Sequence, residues 1–133
     1  MKKGSAWFDG ASLGNPGPAG AGAIVSVAGA AATTHAEALG RMTNNQAEYH
    51  GVLLALRAAR AAGITHLVVH GDSQLVVRQL EGRYQVRNAG LRPLFDEAKV
   101  LVRGFAEVQF VWVPREENGE ADAAAAGAAQ AQR

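Results

Sequence analysis

The chain has no cysteine in its 133 residues. Disulfides, thiol catalysis and cysteine-ligated zinc are therefore excluded. It also lacks a dominant charge: 13 basic and 12 acidic residues leave a formal net charge of +1. No overall field draws it to a polyanion, so any nucleic-acid contact must come from local arrangement. No stretch reads as a membrane span, and the alanine-rich segment after Glu120 is broken by Asp122 and Gly127. The opening MKKGSAWFDG carries two lysines but no apolar run behind them, unlike a signal peptide. A cytoplasmic location is the default expectation. No internal repeat or linker is visible. With 48% apolar and 19% charged residues, the composition suits one globular domain spanning 1–133.

What the chain does have is a strong local pattern. Ser5–Phe8 reads as a strand ending at Asp9. Residues 10–20, with Gly10, Gly14, Asn15, Pro16, Gly17, Pro18 and Gly20, read as a turn. Gly22–Val27 and Ala31–Leu39 read as two further strands. Thr43-Asn44-Asn45-Gln46 is a capping-box sequence, followed by Tyr49, Val52, Leu53, Leu56 and Ala59 at helical spacing. His66–His70 is a strand, and Ser73–Leu80 a short helix. Pro93 opens a third helix that Gly104 ends, and Val108–Val113 is a strand stopped by Pro114. Asn118 is positioned to cap a last helix reaching about Gln130. The order βββαβααβα predicts an α/β fold: one mixed sheet flanked by helices.

Four acids stand at junctions of these elements: Asp9 after the first strand, Glu48 in the first turns of the first long helix, Asp72 after the fourth strand, and Asp122 near the start of the last helix. Strand ends and helix starts share one rim of such a sheet, the rim where α/β folds place their sites. Four carboxylates on one rim need protons or cations between them. Without cysteine or a histidine cluster, an all-oxygen site suits Mg²⁺ or Mn²⁺. Taken singly, Glu48 and Asp72 also suit helix N-termini, and Asp122 suits a solvated surface. The glycine run does not suit a dinucleotide, because it leads into a strand rather than a helix.

Together these segments resemble the type 1 ribonuclease H family. The resemblance rests on FDGASLGNPGPAGAGAIV, TNNQAEYHGVLLAL, VVHGDSQLVVRQL and WVPREENGEADAAA, four motifs in family order across nearly the whole chain. It implies the ribonuclease H-like fold, with a mixed five-stranded sheet. It also implies endonucleolytic cleavage of the RNA strand of an RNA/DNA hybrid by a two-metal-ion mechanism, leaving 5′-phosphate and 3′-hydroxyl ends. Asp9, Glu48, Asp72 and Asp122 match the family's catalytic carboxylates and would hold two Mg²⁺, with Mn²⁺ as substitute. Asn15, Asn44, Asn45 and Gln74 match positions that contact the minor groove and sugars, where an amide can read the 2′-hydroxyl. Ser12 and Thr43 are further candidates for phosphate or backbone contacts.

Two features depart from many family members. The loop before the last aspartate has no histidine. Arg115 is its polar candidate, either stabilising developing phosphate charge or standing as a surface cation. The segment GRYQVRNAGLRPL replaces a longer basic protrusion, with Arg83, Arg87, Arg92 and Tyr84 in its place. Weaker hybrid binding and a shallower salt dependence are expected. No interface is evident, so a monomer is expected. The alternative function is a non-catalytic hybrid-binding module on the same fold; a resolvase or integrase-like enzyme would need motif surroundings and extra domains absent here.

Overall fold

A computed structural model describes residues 1–132. Its elements are β1 (Lys3–Ser12), β2 (Gly17–Val27), β3 (Thr33–Met42), α1 (Asn44–Ala61), β4 (His66–Gly71), α2 (Gln74–Leu80), α3 (Arg92–Val102), β5 (Glu107–Trp112), a single 3-10 turn at Arg115–Glu117, and α4 (Gly119–Gln130). The five strands form one sheet in the order β3-β2-β1-β4-β5. β1, β2 and β3 form the expected antiparallel meander, while β4 and β5 run parallel to β1. The mixed sheet and the order of elements agree with the sequence expectation.

Alternation sets the two faces of the central strand. Ala6 and Phe8 of β1 point into the core with Leu67 and Val69 of β4, and α1 covers them with Tyr49, Val52, Leu53 and Leu56. α1 starts where the capping box requires: Thr43 Oγ1 accepts from the Gln46 N–H at 3.2 Å, and Gln46 Oε1 accepts from the Thr43 N–H at 2.9 Å. Its cap satisfies two backbone donors that a helix start otherwise leaves orphaned. α4 packs mainly against β2, reaching β1 and β3 on either side, and buries Ala121, Ala125 and Ala129.

The sequence reading of residues 10–20 as a turn needs correction. β1 continues to Ser12 and β2 resumes at Gly17, so the reversal itself is only four residues long. Several of the glycines serve close packing instead. A Cβ on Gly10 would lie 2.1 Å from the α1 backbone at Ala47, and one on Gly51 would lie 2.5 Å from the Asp9 carbonyl oxygen. On the neighbouring strand, a Cβ on Gly22 would lie 2.5 Å from the Ala121 carbonyl oxygen of α4. Glycine permits this backbone approach. The third strand is also displaced, running 33–42 rather than 31–39. Strand pairing with β2 carries it on to Met42, and its alanines do not stop it.

The two kinds of glycine predict opposite effects. Gly22→Ala should lower unfolding stability by about 1–3 kcal/mol, because backbone must move. Gly127→Ala, in α4 with open space around its Cβ position, should leave stability unchanged or raise it by up to about 1 kcal/mol. Urea denaturation of the two variants beside the parent checks both signs.

Candidate active site

The sheet register brings the first and third acids together. Phe8 pairs with Gly71 across the parallel β1–β4 ladder, so Asp9 and Asp72 follow on adjacent strands. Glu48 enters from α1, whose backbone lies against Gly10. One carboxylate oxygen from each of Asp9, Glu48 and Asp72 lies within 4.8 Å of the others. Asp122, on the first turn of α4, lines the same cleft with Arg115, Asn44 and Ser12. The four acids singled out from the sequence therefore meet at one cleft.

Two members of this cluster are buried and Asp72 is half-buried. Asp9 and Glu48 are 4% and 5% exposed. Among the described residues, no ion pair involves either one. Burial pushes the Asp9 carboxyl up to about 7, and the neighbouring acids Asp122 and Asp72 add to the rise. Burial likewise drives Glu48 well above the usual carboxylate range, with Asp9 as the next cause. Glu48 Oε2 is buried without a hydrogen-bond partner. An unpartnered buried carboxylate oxygen facing two other acids fits a divalent cation, which would offset the repulsion and supply the missing partner. The donors are all oxygens, the set that Mg²⁺ and Mn²⁺ favour.

One residue of this site escaped the sequence reading of its role. Asn118, expected to cap α4 with its side chain, makes no such bond. Its amide turns inward, donating to the Phe8 carbonyl at 2.9 Å and to Asp72 Oδ2 at 3.3 Å. The available signal was its place one helical turn before Asp122. That spacing puts the two on the same side of the chain, but a cap looks the same in sequence.

The neutral polar candidates divide. Asn15, Thr43, Asn44 and Asn45 line a second cleft with Gln46, Asn88 and Leu91, and Asn44 belongs to both clefts. Asn15 Oδ1 accepts from the Asn44 N–H at 2.9 Å. That bond ties the hairpin to the start of α1 and leaves the Asn15 amide nitrogen free of this bond. Thr43 spends its oxygen on the helix cap. The Ser12 hydroxyl donates to the Met42 carbonyl at 2.9 Å and also contacts the Gly14 carbonyl. Gln74 is exposed at the first turn of α2, beyond the residues lining either cleft. Asn88 was not singled out from the sequence. It lies in the connection between α2 and α3, where its side-chain Oδ1 accepts from the Gly90 N–H at 2.7 Å.

Residues 7–128 match the reverse transcriptase-like family. A ribonuclease HI of Halobacterium salinarum is 44% identical over 90% of this chain and 61% of its own length. The crystal structure of ribonuclease H1 from the same organism superposes with a TM-score of 0.93 at 39% identity, covering 97% of this chain and 98% of that one. The chain belongs to the type 1 ribonuclease H family. Another ribonuclease H1, LC11-RNase H1 solved in complex with an RNA/DNA hybrid, superposes with a TM-score of 0.90 at 30% identity, covering 97% and 98%. This ribonuclease H-family chain spans only 32% of the length of a bifunctional Mycobacterium tuberculosis relative, over which it is 43% identical. No helix among the described residues is long and apolar enough to cross a membrane.

The raised acids predict a pH dependence for the metal-free protein. A carboxyl whose folded pKa lies above its unfolded one binds more protons when folded, so stability falls as pH rises from the unfolded value toward the folded one. For Asp9 that window runs from 3.8 to about 7. In EDTA, the melting temperature should drop by several degrees between pH 5 and pH 8. Asp9→Asn should flatten that drop, and Mn²⁺ at pH 8 should reverse it. A thermal scan at the two pH values checks all three.

Proposed function

We propose that this chain is a metal-dependent endoribonuclease that cleaves the RNA strand of RNA/DNA hybrids, leaving 5′-phosphate and 3′-hydroxyl ends. The observation that carries the reading is the Asp9–Glu48–Asp72 cluster, two of its acids buried and one Glu48 oxygen unpartnered. Family membership supplies the reaction class, and the relative solved with a hybrid supports the substrate. We take residues 1–133 as one catalytic domain acting as a monomer in the cytoplasm.

In this reading Asp9, Glu48, Asp72 and Asp122 hold two Mg²⁺, with Mn²⁺ able to substitute. When bound, such ions neutralise charge at the scissile phosphate and ease ionisation of the attacking water. The protein's own part is to fix the carboxylates before substrate arrives, with Asp9 and Glu48 withdrawn from solvent. Arg115, at the mouth of the cleft on a 3-10 turn, offers a guanidinium to the phosphate as negative charge develops. Asn15, Asn44 and Asn45 stand beside the cleft, where their amides can donate to and accept from a 2′-hydroxyl. Gln74 is assigned the same role from α2, and Thr43 and Ser12 adjoin the backbone path. DNA has no such hydroxyl, which leaves these amides unpaired and disfavours it at this position.

The connection between α2 and α3 bears on grip. Arg92 is engaged by Asp96, and Arg83 lies 3.8 Å from Glu81. Few cations are left to pair with phosphates, so affinity for the hybrid should be modest and only weakly salt-dependent.

Cleavage of a hybrid labelled on its RNA strand tests the reading. Cutting should require Mg²⁺ or Mn²⁺ and stop in EDTA. Asp9→Asn should lower kcat at least about 100-fold, as expected for losing several kcal/mol of charge stabilisation. Arg115→Ala should lower kcat by about 10-fold or more with KM little changed. Hybrid binding without cutting in either metal would instead favour the non-catalytic module.

A further inference from the structure

We infer that Asn118 is the positioning residue of the carboxylate cluster, holding Asp9 and Asp72 in register through one side-chain amide at the start of the helix that carries Asp122. The inference rests on the metal-nuclease reading above. Asn118 is 2% exposed. One amide nitrogen reaches the Phe8 carbonyl, the peptide leading directly into Asp9, and also the Asp72 carboxylate. Its backbone carbonyl, as in any helix start, accepts from the Asp122 N–H at 3.0 Å. A single residue thus connects β1 at Asp9, the end of β4 at Asp72, and the first turn of α4 at Asp122.

Helix stability does not account for this placement. An asparagine before a helix ordinarily accepts from an N–H in the first turn, which stabilises the helix. Asn118 makes none, and its Oδ1 is buried without a partner. A buried unmet acceptor is destabilising, because it gives up water without a replacement. The residue forgoes a cap and carries an unmet acceptor while both amide hydrogens are available to the site. The chemistry of the position also selects asparagine. Aspartate would bring a fifth carboxylate against Asp72. Serine has one hydrogen to give where two acceptors wait. A neutral amide can donate twice, and a hydrogen bond to a carboxylate is stronger than one to a neutral acceptor. Groups that orient metal ligands from behind typically change metal affinity by about 10–100-fold when removed.

Calorimetric titration of Mn²⁺ into the substrate-free protein, with kcat and KM on the hybrid, tests the assignment. Asn118→Ala should weaken Mn²⁺ binding by about 10-fold or more and lower kcat by a similar factor. KM for the hybrid should stay within about twofold, because the amides of the second cleft are untouched. All assays are run well below each variant's melting temperature. Parental Mn²⁺ affinity and parental kcat in Asn118→Ala would overturn the inference. If Asn118→Ala does not fold, Asn118→Asp keeps the volume and loses the amide. It should bind Mn²⁺ no more tightly than the parent despite the added charge, with lowered kcat; parental kcat there would overturn the inference. A parent chain that takes up no Mn²⁺ would overturn the metal reading itself, whereas a binding parent beside an unaffected variant overturns only the role of Asn118.

Discussion

Asp9 and Glu48 lose their water when α1 lies down on β1, and among the described residues neither is paired with a basic side chain. That desolvation is the constraint on which the rest of the molecule depends. It arises from backbone geometry: Gly10 and Gly51 let the helix and the strand approach more closely than any Cβ would allow. The approach carries Glu48 to Asp9 and shuts solvent out. Burial of like charges on this scale opposes folding. The core of Phe8, Tyr49, Leu53, Leu56, Leu67 and Val69 behind the pair must offset it. The orphaned Glu48 oxygen beside two other acids is a place that could hold a cation.

Topology does the remaining placement. Because β4 runs parallel to β1 as its neighbour, both strands end at the same edge, and Asp72 arrives beside Asp9 without any special loop. Trp112 Nε1 donates to the Asp72 carbonyl at 3.2 Å, and the Val113 N–H donates to the Gly71 carbonyl at 2.9 Å, so the end of β5 braces that loop. α4 reaches the site from the other half of the sheet because Gly22, the register partner of Asp9, admits its backbone. Glycines thus act on both sides of one carboxylate. Asn118 then joins the helix to the two strands.

Much of this was legible in the residues. The helical spacing after Thr43, the capping box and the order of elements gave the fold, because each is a local pattern that tertiary packing did not override. The four acids were legible through their positions at element junctions and through the motifs around them. The glycine run misled because Gly10 and Gly20 look the same in sequence whether they turn the chain or admit a helix; only the packed helices tell the two uses apart. Asn118 misled for a related reason. Its local sequence suits a cap, and the competing acceptors, Phe8 and Asp72, are 110 and 46 residues away. Asn88 had no motif to mark it and comes to the cleft only through the connection between α2 and α3.

The most direct measurement is the anomalous scattering of Mn²⁺ in crystals grown near pH 8. A peak is expected among the carboxylates of Asp9, Glu48 and Asp72, with metal–oxygen distances of about 2.0–2.2 Å and Glu48 Oε2 among the ligands or hydrogen-bonded to a metal-bound water. An ordered, protonated Asp9–Glu48 pair with no anomalous density in millimolar Mn²⁺ would contradict it.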